Sequence, residues 1–188
     1  ELMASSVLFS EGLDSGWIDN TFDWVELFKN SARMANIGRE EWDDYRVEVN
    51  MDLSRGHVGA IVRFGRNPGD NTFSCYRLSI NPDTEILKLA RLEGTYDESD
   101  GTYEVPNPEA HVLWSCEGAA CEFEFNVHTH DVALTCEGNA LTVEVDGQAY
   151  VQITDNSLAT GKAGIYYLGD DDPNFSELVI SSAPQKPV

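Results

Sequence analysis

Carboxylate pairs are the residues of this sequence whose spacing could support hydrolysis. Two acidic side chains on one strand face, about 5–5.5 Å apart, can cleave a glycosidic bond with retention, and residues i and i+2 of a strand supply such spacing. Candidate pairs occur at Glu41 and Asp43, at Glu122 and Glu124, and at Glu144 and Asp146. Phe123 and Phe125 alternate with the second pair and are expected to face the core, so that Glu122 and Glu124 face solvent. The third pair borders a hairpin turn. Catalysis by paired carboxylates is therefore a minor alternative.

Aromatic and acidic side chains in a Gly-, Asp- and Pro-rich stretch, residues 93–110, are the first candidates for contacts with a sugar. Sugars bind to aromatic faces through their C–H groups and to polar side chains through their hydroxyls. Long loops in compact domains tend to be functional or mobile, and this stretch offers its tyrosines little core to enter. For the tryptophan, the alternative is packing in the core. We predict ligand contacts by Tyr96, Asp97, Asp100, Tyr103 and Trp114.

Oxygen-bearing and imidazole side chains suggest two metal sites. Residues 170–174 (DDDPN) carry four oxygen-bearing side chains just before the last predicted strand, and Ca²⁺ prefers such ligands. The alternative there is an acidic turn in an acidic protein. His128 and His130 would point to the same side of a strand and could hold a metal together with a third ligand. The favoured alternative is a polar strand edge with two exposed histidines.

Four cysteines without a CxxC pair favour disulfides and an oxidising compartment over a zinc site. Three pairings are possible. Cys116 and Cys121 bracket a short turn between two strand-like runs, and that small loop closes easily where its ends face each other. We predict a Cys116–Cys121 bond, which leaves Cys75–Cys136 as the second. The alternative is four reduced thiols in a cytosolic protein.

The composition bounds the class of protein. The 188 residues include 12 Lys and Arg against 33 Asp and Glu, a formal charge of −21, and 41% are hydrophobic. This composition is globular, and the length suits one domain with a sizeable core. Such a charge repels nucleic acid and anionic membrane surfaces. Since no apolar run approaches about 20 residues, membrane insertion is not expected either.

One domain is expected over residues 7–181. Residues 1–6 are predicted to be disordered or the start of a fragment, and residues 182–188 a Pro-rich linker or tail, so we expect a larger polypeptide. Period-2 alternation predicts roughly a dozen short strands separated by turns. A long loop insertion is predicted at about 93–127, within which 111–116 and 121–127 have strand-like patterns. Residues 31–41 are the one helix-like stretch.

Several pieces of the sequence occur in a familiar order. EGLDSGW places an early Trp after a Gly/Asp turn, VALTCEGNALTVEVDGQAYVQITD has Gly-Asn and Asp-Gly turns, and ATGKAGIYYLGDDDPNFSELVI ends in an acidic loop and an aromatic-led strand. This order resembles the concanavalin A-like jelly rolls of the laminin-G-like group. In particular it is similar to the non-catalytic, sugar-associated modules of secreted bacterial glycoside hydrolases. The resemblance covers about 10–175 and fits poorly over 93–127.

The resemblance implies an all-β jelly-roll sandwich of two antiparallel sheets, with ligands on a concave face or on its edge loops. It also implies a structural Ca²⁺ that ties the first strand to the last, for which Glu11 with Asp172 or Asn174 would supply ligands. Hydrolases of this fold carry a Glu-x-Asp-x-(x)-Glu motif. The nearest match, EWDDYR at 41–46, lacks the second Glu.

The sequence therefore predicts a non-catalytic glycan-binding or adhesion module of a larger secreted or cell-surface protein, with a glycan or cell-surface ligand and a structural Ca²⁺. A second hypothesis is a protein–protein adhesion domain without a sugar site. A third is a small polysaccharide hydrolase or lyase with an unrecognised acid/base pair. Arg63, Arg77 and Arg91 are expected along one sheet face, where they could pair with sugar carboxylates or with the chain's own acidic residues.

Overall fold

Alternating apolar and polar residues form the strands of this protein. The computed structural model describes residues 7–12, 23–27, 32–127, 129–168 and 175–182. Fourteen strands lie in these ranges: Val7–Gly12 (β1), Asp23–Leu27 (β2), Ala32–Ile37 (β3), Tyr45–Asp52 (β4), His57–Asn67 (β5), Thr72–Asn81 (β6), Ile86–Asp97 (β7), Thr102–Glu104 (β8), Val112–Glu117 (β9), Thr129–Glu137 (β10), Ala140–Val145 (β11), Gln148–Thr154 (β12), Lys162–Leu168 (β13) and Phe175–Ser182 (β14). The described residues contain no helix long and apolar enough to cross a membrane.

Two sheets face each other. The smaller has six antiparallel strands in the order β1-β14-β4-β10-β11-β12. Its pattern is clearest in β4, where Tyr45, Val47, Val49 and Met51 are buried and the residues between them are partly exposed. Period-2 alternation of this kind is expected of a sheet with one face on a core and one face toward water. The predicted two-sheet jelly-roll sandwich is confirmed.

The larger sheet curls back on itself. Its eight strands run β6-β5-β13-β3-β2-β8-β7-β9, and β6 also pairs with β7 along ten residue pairs. One parallel pair, Glu26 with Thr102, joins β2 to β8. Together these pairings link seven of the strands into a closed circuit. The face of this sheet that points away from the six-stranded sheet is therefore enclosed at one end.

Two hydrophobic cores result, one on each face of the eight-stranded sheet. The sandwich core lies between the sheets and contains Tyr76, Leu78 and Ile80 of β6. The second core lies within the curl, and β6 contributes alternate residues to it, beginning with Phe73 and Cys75. β6 has buried residues on both faces, because the six-stranded sheet covers one face and the curl covers part of the other. The other members of the second core are Met34, Ile61, Phe64, Ala90, Leu92, Tyr96, Tyr103, Val105 and Tyr166.

The cysteine pairing is half confirmed. Cys116 and Cys121 form a disulfide with their Cα atoms 5.1 Å apart. The predicted Cys75–Cys136 bond is wrong, because both thiols are free and buried. Cys136 lies in the sandwich core, whereas Cys75 lies in the second core. The backbone of the eight-stranded sheet stands between the two cores.

The segment 93–127 contains more structure than a loop. It holds the end of β7, all of β8 and β9, and a short 3₁₀ helix at Gly118–Cys121. β9 confirms the strand expected at 111–116, but the strand expected at 121–127 is wrong. Glu122 has a positive φ of 52°, which redirects the chain just after the disulfide. Phe123 and Phe125 then enter the sandwich core without strand pairing. The helix-like stretch at 31–41 contains β3.

Arg63 joins three connecting segments at one end of the sandwich. It is 2% exposed and sits in the β5 bulge with a positive φ of 53°. Its guanidinium donates to the carbonyl oxygens of Asp43, Gly138 and Leu158 at 2.8–3.1 Å. Its backbone N–H donates to the hydroxyl of Tyr45. Arg63 therefore satisfies backbone acceptors that secondary structure leaves open.

Replacing Arg63 by Met is expected to lower the free energy of unfolding by about 3 to 5 kcal/mol, because three carbonyl oxygens and the Asp44 carboxylate lose the buried donor that they share. Urea unfolding followed by tryptophan fluorescence measures the change. Arg39→Met is the matched control, since Arg39 and its partner Glu41 are exposed and their ion pair contributes at most about 1 kcal/mol. A loss for Arg63→Met no larger than the control would contradict this role.

Alkaline pH is expected to destabilise the protein through its two free thiols. Burial raises the pKa of Cys75 to about 12 and that of Cys136 to about 11, from an ordinary value of 9.0. Because the pKa values are raised in the folded state, the stabilisation that comes from keeping these thiols protonated is complete below pH 9. It is lost as the pH rises toward 11 and 12. Between these limits only the unfolded thiols ionise, which removes about 1 kcal/mol per pH unit for each thiol.

The free energy of unfolding in urea, measured at intervals from about pH 8 to pH 10, tests this expectation. The double variant Cys75→Ala/Cys136→Ala serves as the control and should have a flatter profile. Parallel profiles for the two proteins would show that the buried thiols do not cause the alkaline loss.

Candidate functional site

A cleft of about 430 Å³ opens on the eight-stranded sheet, on the face that points away from the sandwich core. Arg77, Ser79 and Asn81 of β6 line it, and they alternate with the sandwich-core residues Tyr76, Leu78 and Ile80. The cleft therefore lies on the same face as the second core, which includes its wall residue Tyr166. The remaining lining residues are His57, Ile86, Lys88, Pro108, Glu109 and Leu168.

Strand register builds the floor of the cleft from rows of residues that run across the sheet. One row contains Tyr166, Gly59, Ser79 and Lys88, from β13, β5, β6 and β7. Gly59 has no side chain, so nothing stands between Tyr166 and Ser79 in this row. A Cβ atom at this position would lie 1.8 Å from the carbonyl oxygen of Leu78. The close approach of β5 and β6 thus requires glycine at the centre of the floor.

Arg77 is the buried cation of the cleft. Its side chain is 5% exposed, and its guanidinium carbon lies 4.7 Å from the centre of the Tyr166 ring. Burial raises the pKa of Tyr166, and the positive charge of Arg77 opposes that shift. The Nε atom of Arg77 has no hydrogen-bond partner among the described residues. An N–H donor left unbonded in a buried position is costly.

Lys88 and Glu109 form one side of the cleft. The Nζ atom of Lys88 lies 2.7 and 2.8 Å from the two carboxylate oxygens of Glu109. Glu109 follows β8 in a turn, where its backbone N–H donates to the side-chain oxygen of Asn107. Lys88 is 19% exposed and Glu109 is 58% exposed. The lysine side chain is thus mostly buried on the sheet, and the more exposed glutamate pairs with it from the solvent side.

The charge of the cleft differs from that of the chain. Its fully charged lining residues are Arg77, Lys88 and Glu109, a balance of +1 in a chain of −21. His57 lies at its edge, 3.7 Å from a carboxylate oxygen of Asp83. Leu168, Ile86 and Pro108 add apolar surface. This mixture suits a small polar ligand that carries hydrogen-bond acceptors and some apolar surface.

The two tyrosines predicted to contact a ligand are part of the second core. Tyr96 and Tyr103 are 7% and 5% exposed, and their rings stack on each other with centres 5.6 Å apart. Arg66 lies over both rings at 5.6 and 5.4 Å. The expectation that they have little core to enter was wrong, because the curled sheet supplies that core. Protein groups therefore cover much of their faces.

The other predicted ligand residues are dispersed. Asp97 and Asp100 are exposed and accept hydrogen bonds from Ser99 and Thr102 within tight turns. The bonds from Ser99 lower the pKa of Asp97. Trp114 is partly buried against the sandwich core, on the other face of the sheet from Tyr96. A separate cleft of about 420 Å³ is lined by Tyr96 and Asp97, and by Asn71, Thr95, Thr102 and Glu104. Ligand binding by the five predicted residues stays a prediction.

The predicted calcium ligands fall partly outside the described residues. Asp172 and Asn174 lie there, and of Glu11 only the backbone is described. Glu11 pairs with Leu178, so the end of β1 runs beside the start of β14 as the predicted site requires. Within the described ranges, no three His, Cys, Asp or Glu side chains are grouped to hold a metal ion. Calcium binding remains a prediction.

The histidine pair and the arginine row are placed differently from the expectations. His128 lies outside the described residues, and His130 is buried rather than exposed. Its Nδ1 atom lies 2.7 Å from a carboxylate oxygen of Asp146, and its Nε2 atom lies 3.1 Å from the carbonyl of Glu124. The imidazole therefore joins two segments of the fold.

Of the three arginines expected on one face, only Arg77 lines the cleft. Arg63 caps the sandwich, and Arg91 pairs with Asp155 and Glu93. Sequence reasoning did not select Lys88, Glu109 and Tyr166 as site residues. The signal available was the alternation of polar Arg77, Ser79 and Asn81 with large apolar residues, which places three polar side chains on one strand face.

Two comparisons by sequence find no relative, since neither a protein-family model nor a curated protein matches the chain. Solved structures share its fold. A Bacillus subtilis protein of unknown function with a galectin-like fold aligns at a TM-score of 0.57, with 10% identity over 99% of this chain and 100% of that chain. Exo-inulinase from Aspergillus awamori aligns at 0.54, with 7% identity over 95% of this chain and 30% of that chain. The chain has a galectin-like jelly-roll fold. At these identities the likeness shows the fold alone, and it confirms the concanavalin A-like class.

Proposed function

We propose that this protein is a glycan-binding module and that the cleft beside Arg77 is its binding site. The observation that carries the proposal is Arg77 itself. It is a nine-tenths buried cation that lines an open cleft and keeps an N–H donor without a protein partner. Proteins rarely retain such a group unless water, an ion or a ligand satisfies it.

The surrounding groups fit the chemistry of a sugar. Hydroxyls donate and accept hydrogen bonds, and the cleft offers the Ser79 hydroxyl, the Asn81 amide and the His57 imidazole beside the arginine. Its apolar residues can contact the C–H face of a ring. The volume of about 430 Å³ lies within the range of small-molecule sites. The fold it shares with a region of an exo-inulinase makes carbohydrate the first ligand class to test.

Binding is favoured over hydrolysis by the lining of the cleft. Glu109 is the only carboxylate among its lining residues that the structure describes, so no carboxylate pair stands there. Both members of one carboxylate pair considered from the sequence, Glu144 and Asp146, have structural partners instead. Glu144 bonds to Arg46 on the six-stranded sheet, and Asp146 bonds to the buried His130.

The setting of this module is a further part of the proposal. A disulfide at Cys116–Cys121 supports a secreted or cell-surface location, because such bonds persist in oxidising compartments. We propose that the module belongs to a larger polypeptide. We further propose that a structural Ca²⁺, held by Glu11, Asp172 and Asn174, fastens the first strand to the last.

The glycan site is tested with Arg77→Gln. Binding to a glycan array, followed by calorimetry on the best ligand, is expected to show at least about a 10-fold loss of affinity, because a charged hydrogen bond is removed. Ser79→Gln, which fills the floor, should weaken binding without removing the arginine. Arg46→Gln is the matched control, since Arg46 is a half-buried arginine on the opposite sheet that pairs with Glu48 and Glu144.

Both cleft variants require an unchanged circular dichroism spectrum before their affinities are compared. Absence of binding to any glycan would contradict the proposal and favour a protein–protein adhesion domain. Equal affinities for wild type, Arg77→Gln and Ser79→Gln would place the glycan elsewhere on the molecule.

Calcium binding is tested by thermal unfolding in Ca²⁺ and in EGTA. A ligand at about 100 times its Kd stabilises the folded state by about 3 kcal/mol, which corresponds to a rise of about 5 to 10 °C in Tm for a chain of this size. Asp172→Asn should abolish that difference, whereas Asp100→Asn should retain it. Identical Tm values in Ca²⁺ and EGTA for the wild type would refute the ion.

A further inference from the structure

We propose that the ligand of the Arg77 cleft is an acidic glycan, and that the Glu109 carboxylate marks the position that a uronic acid carboxylate takes at Lys88. This inference rests on the proposed function, because it names the ligand class of the same site. It depends on three features of the described residues: the placement of two cations, the group now seated on one of them, and the unused donor of the other.

The two cations lie within reach of one ligand group. Arg77 pairs with Ala90 across β6 and β7, and the next pair on the same face is Ser79 with Lys88. Arg77 and Lys88 are therefore diagonal neighbours on adjacent antiparallel strands. Such positions lie about 7–8 Å apart, a distance that long side chains bridge. A single anionic sugar can thus contact both side chains, with Ser79 between them on the floor.

The site at Lys88 already accommodates a carboxylate. Both oxygens of Glu109 lie within 2.8 Å of Nζ. Glu109 comes from an exposed turn, and an ion pair with an exposed partner contributes little to stability. A ligand carboxylate can therefore replace it without breaking the fold. Once displaced, the Glu109 side chain can move into solvent.

Arg77 offers the second half of the anion site. A guanidinium has five N–H donors in a planar fork that matches the two oxygens of a carboxylate. In this protein the Nε donor of Arg77 has no partner in the described part of the chain, while the guanidinium rests on the Tyr166 ring. The ring fixes the orientation of the fork. No acidic residue in the described ranges pairs with Arg77, so its positive charge remains available to a planar anion in the cleft.

The charge of the whole molecule makes this site selective. A protein of −21 repels acidic polymers from most of its surface, whereas the charged residues that line the cleft sum to +1. An acidic glycan therefore gains binding energy where its carboxylate enters a cleft of locally positive charge such as this one. We expect recognition of a particular sugar unit rather than general attraction to polyanions.

Calorimetry with an oligogalacturonate and its carboxyl-reduced, neutral counterpart tests the inference. The wild type should bind the acidic form at least about 10-fold more tightly. Lys88→Gln should lose about 10- to 100-fold for the acidic form and little for the neutral one. Glu109→Gln, which removes the internal competitor, should bind the acidic form about 2- to 5-fold more tightly. Arg39→Gln, which removes an exposed charge elsewhere, should change neither affinity.

The outcomes separate this inference from the proposed function. Equal binding of acidic and neutral forms, with Lys88→Gln unaffected, overturns the acidic ligand and leaves glycan binding intact. Weaker binding by Glu109→Gln overturns the displacement. A sulfated galactan and its desulfated form make a second arm, and preference for sulfate over uronate overturns the carboxylate assignment. Absence of binding to every glycan overturns the proposed function itself, and this inference with it.

Discussion

The hydrogen bonds of Arg63 hold the end of the sandwich together, and much of the remaining architecture depends on them. One guanidinium reaches the segment before β4, the turn between β10 and β11, and the segment between β12 and β13. The positive φ of Arg63 marks a bulge that shifts the register of β5. Before the bulge Val62 faces the sandwich core, and after it Phe64 faces the second core. The bulge at Arg63 thus changes which residues of β5 face each core.

The second core and the cleft divide one face of the eight-stranded sheet. Toward one end, apolar residues of β5, β6, β7 and β8 fill the curl. Toward the other, β6 and β7 carry Arg77, Ser79 and Lys88, which line the open cleft. Tyr166 belongs to both regions, since it packs in the second core and supports the arginine. Packing in the second core therefore holds Tyr166 in place, and Tyr166 in turn supports Arg77, the residue that we propose binds ligand.

Local sequence patterns were sufficient to predict the fold class but not the site. Alternation in β4, β10 and β11 predicted a two-sheet sandwich, and the short spacing of Cys116 and Cys121 predicted their bond. Tyr96 and Tyr103 were misplaced because the core that buries them forms only when β8 meets β2, a contact between distant segments. Cys75 and Cys136 face different cores, because the backbone of the eight-stranded sheet lies between them. Alternation shows that Arg77 and Leu78 face opposite sides, but it does not show which side stays open.

The closed circuit of the larger sheet has a consequence for association between molecules. A free strand edge is a template on which another chain can add by backbone hydrogen bonds. In the described strands, β6 and β7 shield each other's edges, and the additional strand at the edge, β9, is six residues long and followed at once by the Cys116–Cys121 turn. Short edges of this kind discourage strand addition. The curl thus leaves few free edges on the described strands of this sheet, and so reduces the risk of the edge-to-edge aggregation to which open sheets are prone.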